Sequence, residues 1–255
     1  MSSTQIFVVD EATHEVQPVA EEAAVRLGMY NPQDVMLTVC LLCKLNLPTP
    51  IANKIAEMAG ILSGFFEETH ALVQDTAPMD HAYFRLVIPS DMGHGELEFT
   101  SCMGLSIECI SHDQGWATDA PELNGTYDGC HSWMEYEVQD LDGVALLPRR
   151  VVCRNLRASW PFRRHRIEIR DRDVLDLLVP GHVVVLFARA QFGGWANFVK
   201  YACIHVALSV ALKESVDGLQ VLQSHWDELA TKKTLAKGKR TNHTDEEGWA
   251  TCCVS

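Results

Sequence analysis

The sequence of 255 residues predicts a mainly β fold: an antiparallel β-sandwich with a helical region ahead of it and a short helix behind it. Three observations carry this. Between residues 83 and 212, runs of strand length alternate with clusters of Gly, Pro, Asp and Asn, the punctuation of hairpins rather than of crossover helices. Ile204, Val206, Leu208, Val210 and Leu212 keep a two-residue period, which puts them on one face of one strand. Ahead of this region, the stretch to about Phe66 carries helical composition and helix-start signals.

In chain order, residues 19–27 are rich in Ala and Glu, and Asn31-Pro32 opens a second helix over 33–44. Thr49 is placed to cap a third, and Pro50 suits its first helical position. Its Ile51, Ile55, Met58, Ala59 and Leu62 have the spacing of one buried face. Strands are expected at 96–99, 105–110, 133–138, 151–156, 166–169, 183–188 and 204–212. Residues 219–229 form a closing helix, with Leu219, Leu222, Trp226 and Leu229 on one stripe. From Thr231 the chain is polar, lacks a packing face and is expected to be disordered. The predicted organisation is a helical region over 1–82, a sandwich over 83–213, a closing helix over 214–230 and a flexible tail over 231–255.

An apolar content of 47% supports a sizeable core, while a net charge of -13 argues against nucleic acid, whose phosphates require a basic face. No opening segment joins a basic start to an apolar stretch, and Met1 is followed by Ser2 rather than the glycine that myristoylation needs. A cytosolic protein is therefore expected, with its cysteines as thiols and the sequons at Asn124 and Asn242 unglycosylated. The longest apolar run, 35–42, is broken by Thr38 and falls short of the ~20 residues of a membrane-spanning helix.

The last four residues, Cys252-Cys253-Val254-Ser255, form a C-a-a-X box. A protein prenyltransferase reads such a box, and a terminal Ser favours farnesylation, here of Cys252. The expected consequence is peripheral attachment to a cytosol-facing membrane. One prenyl chain anchors only marginally, so a second signal is needed; Lys232, Lys233, Lys237, Lys239 and Arg240 offer one, opposed by Asp245, Glu246 and Glu247.

Three segments stand out: Ser111-His112-Asp113-Gln114-Gly115-Trp116, Gly125-Thr126-Tyr127-Asp128-Gly129-Cys130-His131-Ser132-Trp133, and Ala188-Arg189-Ala190-Gln191-Phe192-Gly193-Gly194-Trp195-Ala196-Asn197. Trp116, Trp133 and Trp195 with Tyr127 offer faces that stack on a sugar or a planar ligand, while Asp113, Gln114, Arg189 and Asn197 supply directional hydrogen bonds. The same residues suit a structural role, because Trp beside Gly in turns plugs the end of a sandwich. Both readings stay open on the sequence.

These segments resemble a domain of uncharacterised fungal proteins, over roughly 86–210. In that family a strand ends in a Ser-His/Lys-Asp-Gln-Gly-Trp turn, a Gly-Thr-Tyr segment follows, and a late strand runs into an Ala-Arg-Ala-x-Phe-x-Gly-Trp-x-Asn turn. Cys130, His131 and Met134 depart from the pattern, where relatives carry Ser, an aromatic residue and Phe. The resemblance implies a fold similar to galactose-binding-like jelly rolls and brings no activity with it.

Other motifs each carry two readings. Leu47-Pro48-x-x-Ile51-x-x-x-Ile55 resembles the opening of an F-box, which docks a Skp-type adaptor, but an amphipathic helix packed on the sandwich needs the same spacing. Cys40-Leu41-Leu42-Cys43 has the spacing of half a zinc site, or of two buried thiols on a core helix. His112, Asp113, Cys130 and His131 are metal-ligand types, and Cys130 or Ser111 with His112 or His131 would make a nucleophile and base, without a nucleophile elbow, phosphate loop or dinucleotide fingerprint. Arg163, Arg164 and Arg166, with Arg149, Arg150, Arg154 and Arg157, form a local basic region that would meet lipid phosphate or pair with nearby carboxylates.

The reading that collects these features is a non-enzymatic scaffold module without a cofactor, binding a protein, lipid or carbohydrate ligand and tethered through Cys252. An F-box-like adaptor with a client-binding sandwich is the first alternative, and an enzyme accessory to a biosynthetic pathway the second.

Overall fold

The computed structural model describes residues 5–10, 16–17 and 30–241, with side chains over 30–233. Its elements are β1 (Gln5–Asp10), β2 (Val16–Gln17), α1 (Pro32–Lys44), α2 (Thr49–Met58), β3 (Ser63–Thr69), β4 (Val73–Thr76), β5 (Met79–Val87), β6 (Leu97–Asp113), β7 (Ser132–Gln139), β8 (Arg150–Arg154), β9 (Arg163–Ile169), α3 (Arg172–Leu175), β10 (Val183–Ala190), β11 (Ala196–Leu212) and α4 (Gly218–Thr241).

The larger sheet runs β2-β1-β9-β6-β11-β3, with β4 also on β11; the smaller runs β5-β10-β7-β8. All these strand pairs are antiparallel. Taking β3 and β4 together as the first strand and counting on to β11 as the eighth, the two sheets read 1-8-3-6 and 2-7-4-5. That is the strand order of a jelly roll, and β1 and β2 extend its larger sheet past β9. The fold is thus mainly β, with α1 and α2 ahead of the jelly-roll strands and α4 behind them.

The core lies between the sheets. Ile204, Val206, Leu208, Val210 and Leu212 all point inward, as their period requires. They meet Leu105, Ile107 and Cys109 of β6, Ile167 of β9, Met134, Tyr136 and Val138 of β7, and Leu186 of β10. Cys109 and Cys153 face one another across the sheets with sulfurs 3.6 Å apart, both free thiols. The expected segments 96–99 and 105–110 are parts of one strand, β6.

The helices correct the sequence reading in three places. Asn31 caps α1 as expected, accepting from the Asp34 N–H at 2.8 Å, with Pro32 in the first turn. In α2 Thr49 does not cap: Pro48 holds that position without a side-chain bond. Nor do Ile51, Ile55 and Met58 face the core, being 50%, 40% and 78% exposed while Ala52 and Ala56 are buried. The cause is Asn53, whose amide donates to the Leu212 carbonyl at 3.0 Å and accepts from the Leu212 N–H at 2.9 Å. This pair of bonds turns the 52–53–56 side of α2 toward β11. Gly60, at φ +72°, then ends the helical stretch, and residues from Ser63 pair as β3.

At the other end α4 is helical through Thr241, well past the expected boundary at Thr231. Its grip is narrow: Leu222 is buried, whereas Leu219, Trp226 and Leu229 are 53%, 42% and 41% exposed. The Lys44 ammonium covers the Trp226 ring at 4.4 Å. The expected helix at 19–27 and the C-a-a-X box at Cys252 lie outside the described residues. No helix among the described residues is long and apolar enough to cross a membrane.

His165 on β9 is 1% exposed and its Nε2 is unpartnered. Burial, aided by the neighbouring Arg163 charge, drives its pKa down to about 4. The unfolded chain therefore takes up a proton near the ordinary imidazole pKa of about 6.5 that the folded chain refuses. The neutral ring's contribution is complete above that pH and is lost as pH falls toward 4. Urea unfolding at about pH 7 and about pH 5 should show lower stability in acid, and His165→Leu should shrink that difference. An unchanged difference in the variant would place the proton uptake elsewhere.

Candidate functional site

In an antiparallel sandwich, β6, β8 and β10 end where β7, β9 and β11 begin, so three connections gather at one end of the fold. These are 114–131, 155–162 and 191–195. All three distinctive sequence segments reach this end.

Beneath the loops runs a buried seam of polar side chains. The Ser111 hydroxyl of β6 donates to Asn155 Oδ1 at 2.6 Å. The Asn155 amide donates to Ser132 Oγ and to Asn197 Oδ1, both at 2.9 Å. The Asn197 amide then donates to the Trp133 and Arg189 carbonyls, both at 3.0 Å. All four seam residues are at most 1% exposed. Ser111 and Asn197 belong to the larger sheet, while Ser132, Trp133 and Arg189 belong to the smaller. The seam therefore joins the sheets and satisfies polar groups that would otherwise be buried at high cost.

Asp113 and Gln114 continue this framework. The Asp113 carboxylate accepts from the N–H groups of Gly115, Ala158 and Ser159 at 2.8, 2.7 and 3.0 Å. Burial pushes its pKa up, against the three N–H groups that favour its charge. Gln114 donates to the Trp116 carbonyl at 2.8 Å and accepts from the Ala196 N–H at 3.3 Å, tying two loops together.

Arg157, from the 155–162 connection, organises the 114–131 loop. Its guanidinium, 1% exposed, donates to Asn124 Oδ1 at 3.1 Å, to the Gly129 carbonyl at 2.6 Å and to the Asp119 carbonyl, and it reaches the Asp119 carboxylate at 3.1 Å. It also lies 5.2 Å from the ring of Trp195, which is buried. His131 packs edge-on to Trp195 at 5.1 Å, and burial with the Arg154 and Arg157 charges lowers its pKa.

On this support sit three exposed aromatic side chains: Trp116, Trp160 and Phe192, at 54%, 63% and 57%. Trp160 lies on the backbone of Gly115, where an added Cβ would fall 2.2 Å from its ring. Gly115 has φ +81°, so only glycine suits that turn. Trp116 reaches over Gly194, and Phe192 stands edge-on to His131 at 4.7 Å. Phe192 adopts φ +70°, an unfavourable conformation for a bulky residue.

The expected binding residues thus divide. Trp116 is exposed at the loop end, while Asp113, Gln114 and Asn197 lie beneath it with their side-chain polar atoms engaged inside the fold, and Trp195 is buried beside them. Tyr127 is half-buried, edge-on to His165 at 6.1 Å. Trp133 and Arg189 occupy the outer face of the smaller sheet. There the Trp133 indole donates to Glu135 at 2.8 Å, and Arg189 pairs with Asp80 at 2.9 Å and Glu135 at 3.0 Å. Sequence reasoning missed Trp160, Phe192 and Asn155, and it read Arg157 as surface charge.

The nucleophile, metal and basic-patch ideas meet specific geometry. Ser111 donates to Asn155 and Cys130 lies against Ser132, so neither has an imidazole for a partner. Burial pushes the Cys130 thiol pKa up. His112 is stacked on Phe198 at 4.5 Å. No group of three or more metal-ligating side chains converges among the described residues. Cys40 is buried, and its pKa is raised to about 11 chiefly by desolvation. Arg149, Arg150, Arg164 and Arg166 pair with carboxylates at 2.5–3.3 Å.

Fold and site together define a jelly-roll sandwich with an aromatic, loop-borne surface at one end. Comparison with family models, curated proteins and solved structures finds no match to this chain.

Asn197→Leu keeps side-chain volume but strips partners from two carbonyls and the Asn155 amide. It should cost roughly 3 kcal/mol in urea unfolding. Arg157→Lys should also destabilise, because an ammonium cannot reproduce the guanidinium fork, and limited proteolysis should then cut first within 117–131.

Proposed function

We propose that the protein is a non-catalytic binding module whose ligand engages Trp116, Trp160 and Phe192, and which farnesylation of Cys252 holds at a cytosol-facing membrane. The carrying observation is the exposure of three large rings on a fully bonded polar support. Folding does not require Trp116 or Trp160 to face water, and apolar surface gathered in this way marks interaction sites. Stacking on such rings suits the apolar face of a sugar, a planar headgroup or an aromatic side chain of a partner. The buried Trp195 and the Asp113 carboxylate support the surface from below, as preorganisation requires.

An array of glycans, lipids and peptides probed with the full chain should give a binder whose signal is lost in Trp116→Ala, with the variant unfolding at the wild-type urea midpoint. A large drop in that midpoint would instead assign Trp116 a structural role. For the tether, the C-terminal peptide from protein made in a eukaryotic host should carry a farnesyl adduct, absent in Cys252→Ser.

One observation favours the adaptor as a second reading: Ile51, Ile55 and Met58 of α2 present an apolar face to solvent. A Skp-type adaptor should then co-purify with the wild type and be lost with Ile51→Asp. Retention of the adaptor by that variant would end this reading.

A further inference from the structure

The outer face of the larger sheet carries a groove of about 350 Å³, lined by residues of β3, β6, β9 and β11. Its layout follows from strand register. One row across the strands is Glu168–Ser106–His205–Phe66, and the row beside it is Arg166–Glu108–Cys203–Glu68. On the other side of the first row lies Gly104–Ala207–Gly64, which projects nothing larger than a methyl group. At ~4.8 Å between strands, this bare floor spans about 10 Å perpendicular to them.

Three further features point to a ligand. Ser106, 7% exposed, lines the middle of the groove and brings a hydroxyl to it. Phe66 closes the row on β3 with 63% of its surface in solvent, while its neighbour Phe65 packs on the core. The charges are already matched: Arg166 with Glu168 at 2.5 Å, and Arg164 with Glu108 at 3.3 Å. A groove neutralised from within does not select an ion. It offers fixed donors and acceptors side by side, which suits hydroxyl groups because each both donates and accepts.

We propose that this groove is a binding site for a neutral oligosaccharide lying across the strands, with one ring stacked on Phe66 and hydroxyls bonded to Ser106, Glu168 and Arg166. The size is that of a small-ligand cleft, and the bare floor lets a sugar approach the sheet closely. The site shares no residue with the loop end and does not depend on the loop-end proposal.

The test is an amide chemical-shift titration of the full chain with maltotriose, cellotriose and triacetylchitotriose. At least one should produce saturable shifts at Ser106, His205 and Phe66. Phe66→Ala, an exposed substitution that leaves the core intact, should weaken that binding about tenfold. Trp116→Ala should leave it unchanged. No saturable shift at these residues with any of the three sugars overturns the proposal, as does wild-type affinity in Phe66→Ala. Shifts confined to 113–116 and 191–196 overturn it too, and would assign sugar binding to the loop end instead.

Discussion

The buried amide seam is the constraint on which the rest of this structure depends. A jelly roll closes its core along both faces but leaves its ends to loops, and loops bring backbone groups that need partners. Ser111, Asn155, Asn197 and Ser132 answer that need at one end by bonding to each other across the two sheets and, from Asn197 on the larger sheet, to two carbonyls of the smaller. Apolar residues there would hold the sheets together without fixing their relative position. Directional bonds from one amide to carbonyls on two strands fix it, because a shift of the sheets would break several bonds at once.

What stands above the seam inherits that order. Asn197 sets the start of β11, so the Ala196 N–H is in place for Gln114, and Gln114 in turn holds the Trp116 carbonyl. Asp113 pins the 158–159 backbone, which leads directly into Trp160. Exposed rings on mobile loops would lose conformational freedom on binding; rings carried on this framework have lost much of it on folding. The buried and the exposed indole, which the sequence does not tell apart, are separate residues in the structure. Trp195 is buried between Arg157 and His131, and Trp116 is exposed one loop away.

Much of the fold is legible in the sequence where burial imposes a period. The inward set Ile204 to Leu212 reads directly, and so do the alternation of β7 and the apolar run of β10. Segments exposed on one side read less well: β3 and β4 carry Glu67, Glu68, Gln74 and Asp75 toward solvent, leaving too few apolar positions to show alternation. The face of α2 is misread because spacing reveals that a helix is amphipathic but not what its neighbours accept. Its rotation is decided by two bonds from Asn53 to Leu212, 159 residues away. The site is legible only in part for the same reason. Gly-Trp turns announce Trp116 and Trp195, but nothing around Asn155 or Arg157 distinguishes a buried organiser from a surface polar residue.

Charge arrangement bears on how a membrane tether would work. The basic residues that cluster in the sequence do not form a free basic face: Arg149 lies among Asp80, Glu135 and Glu137, Arg150 meets Asp171, and Arg157 is buried. With these cations matched locally, the surplus of -13 dominates the long-range field. An anionic bilayer would therefore repel the body, and a single farnesyl chain gives only reversible attachment. A tether through Cys252 alone would leave the protein exchanging between membrane and solution. Lasting residence would require a partner at the bilayer, for which the loop-end rings and the apolar face of α2 offer two separate surfaces.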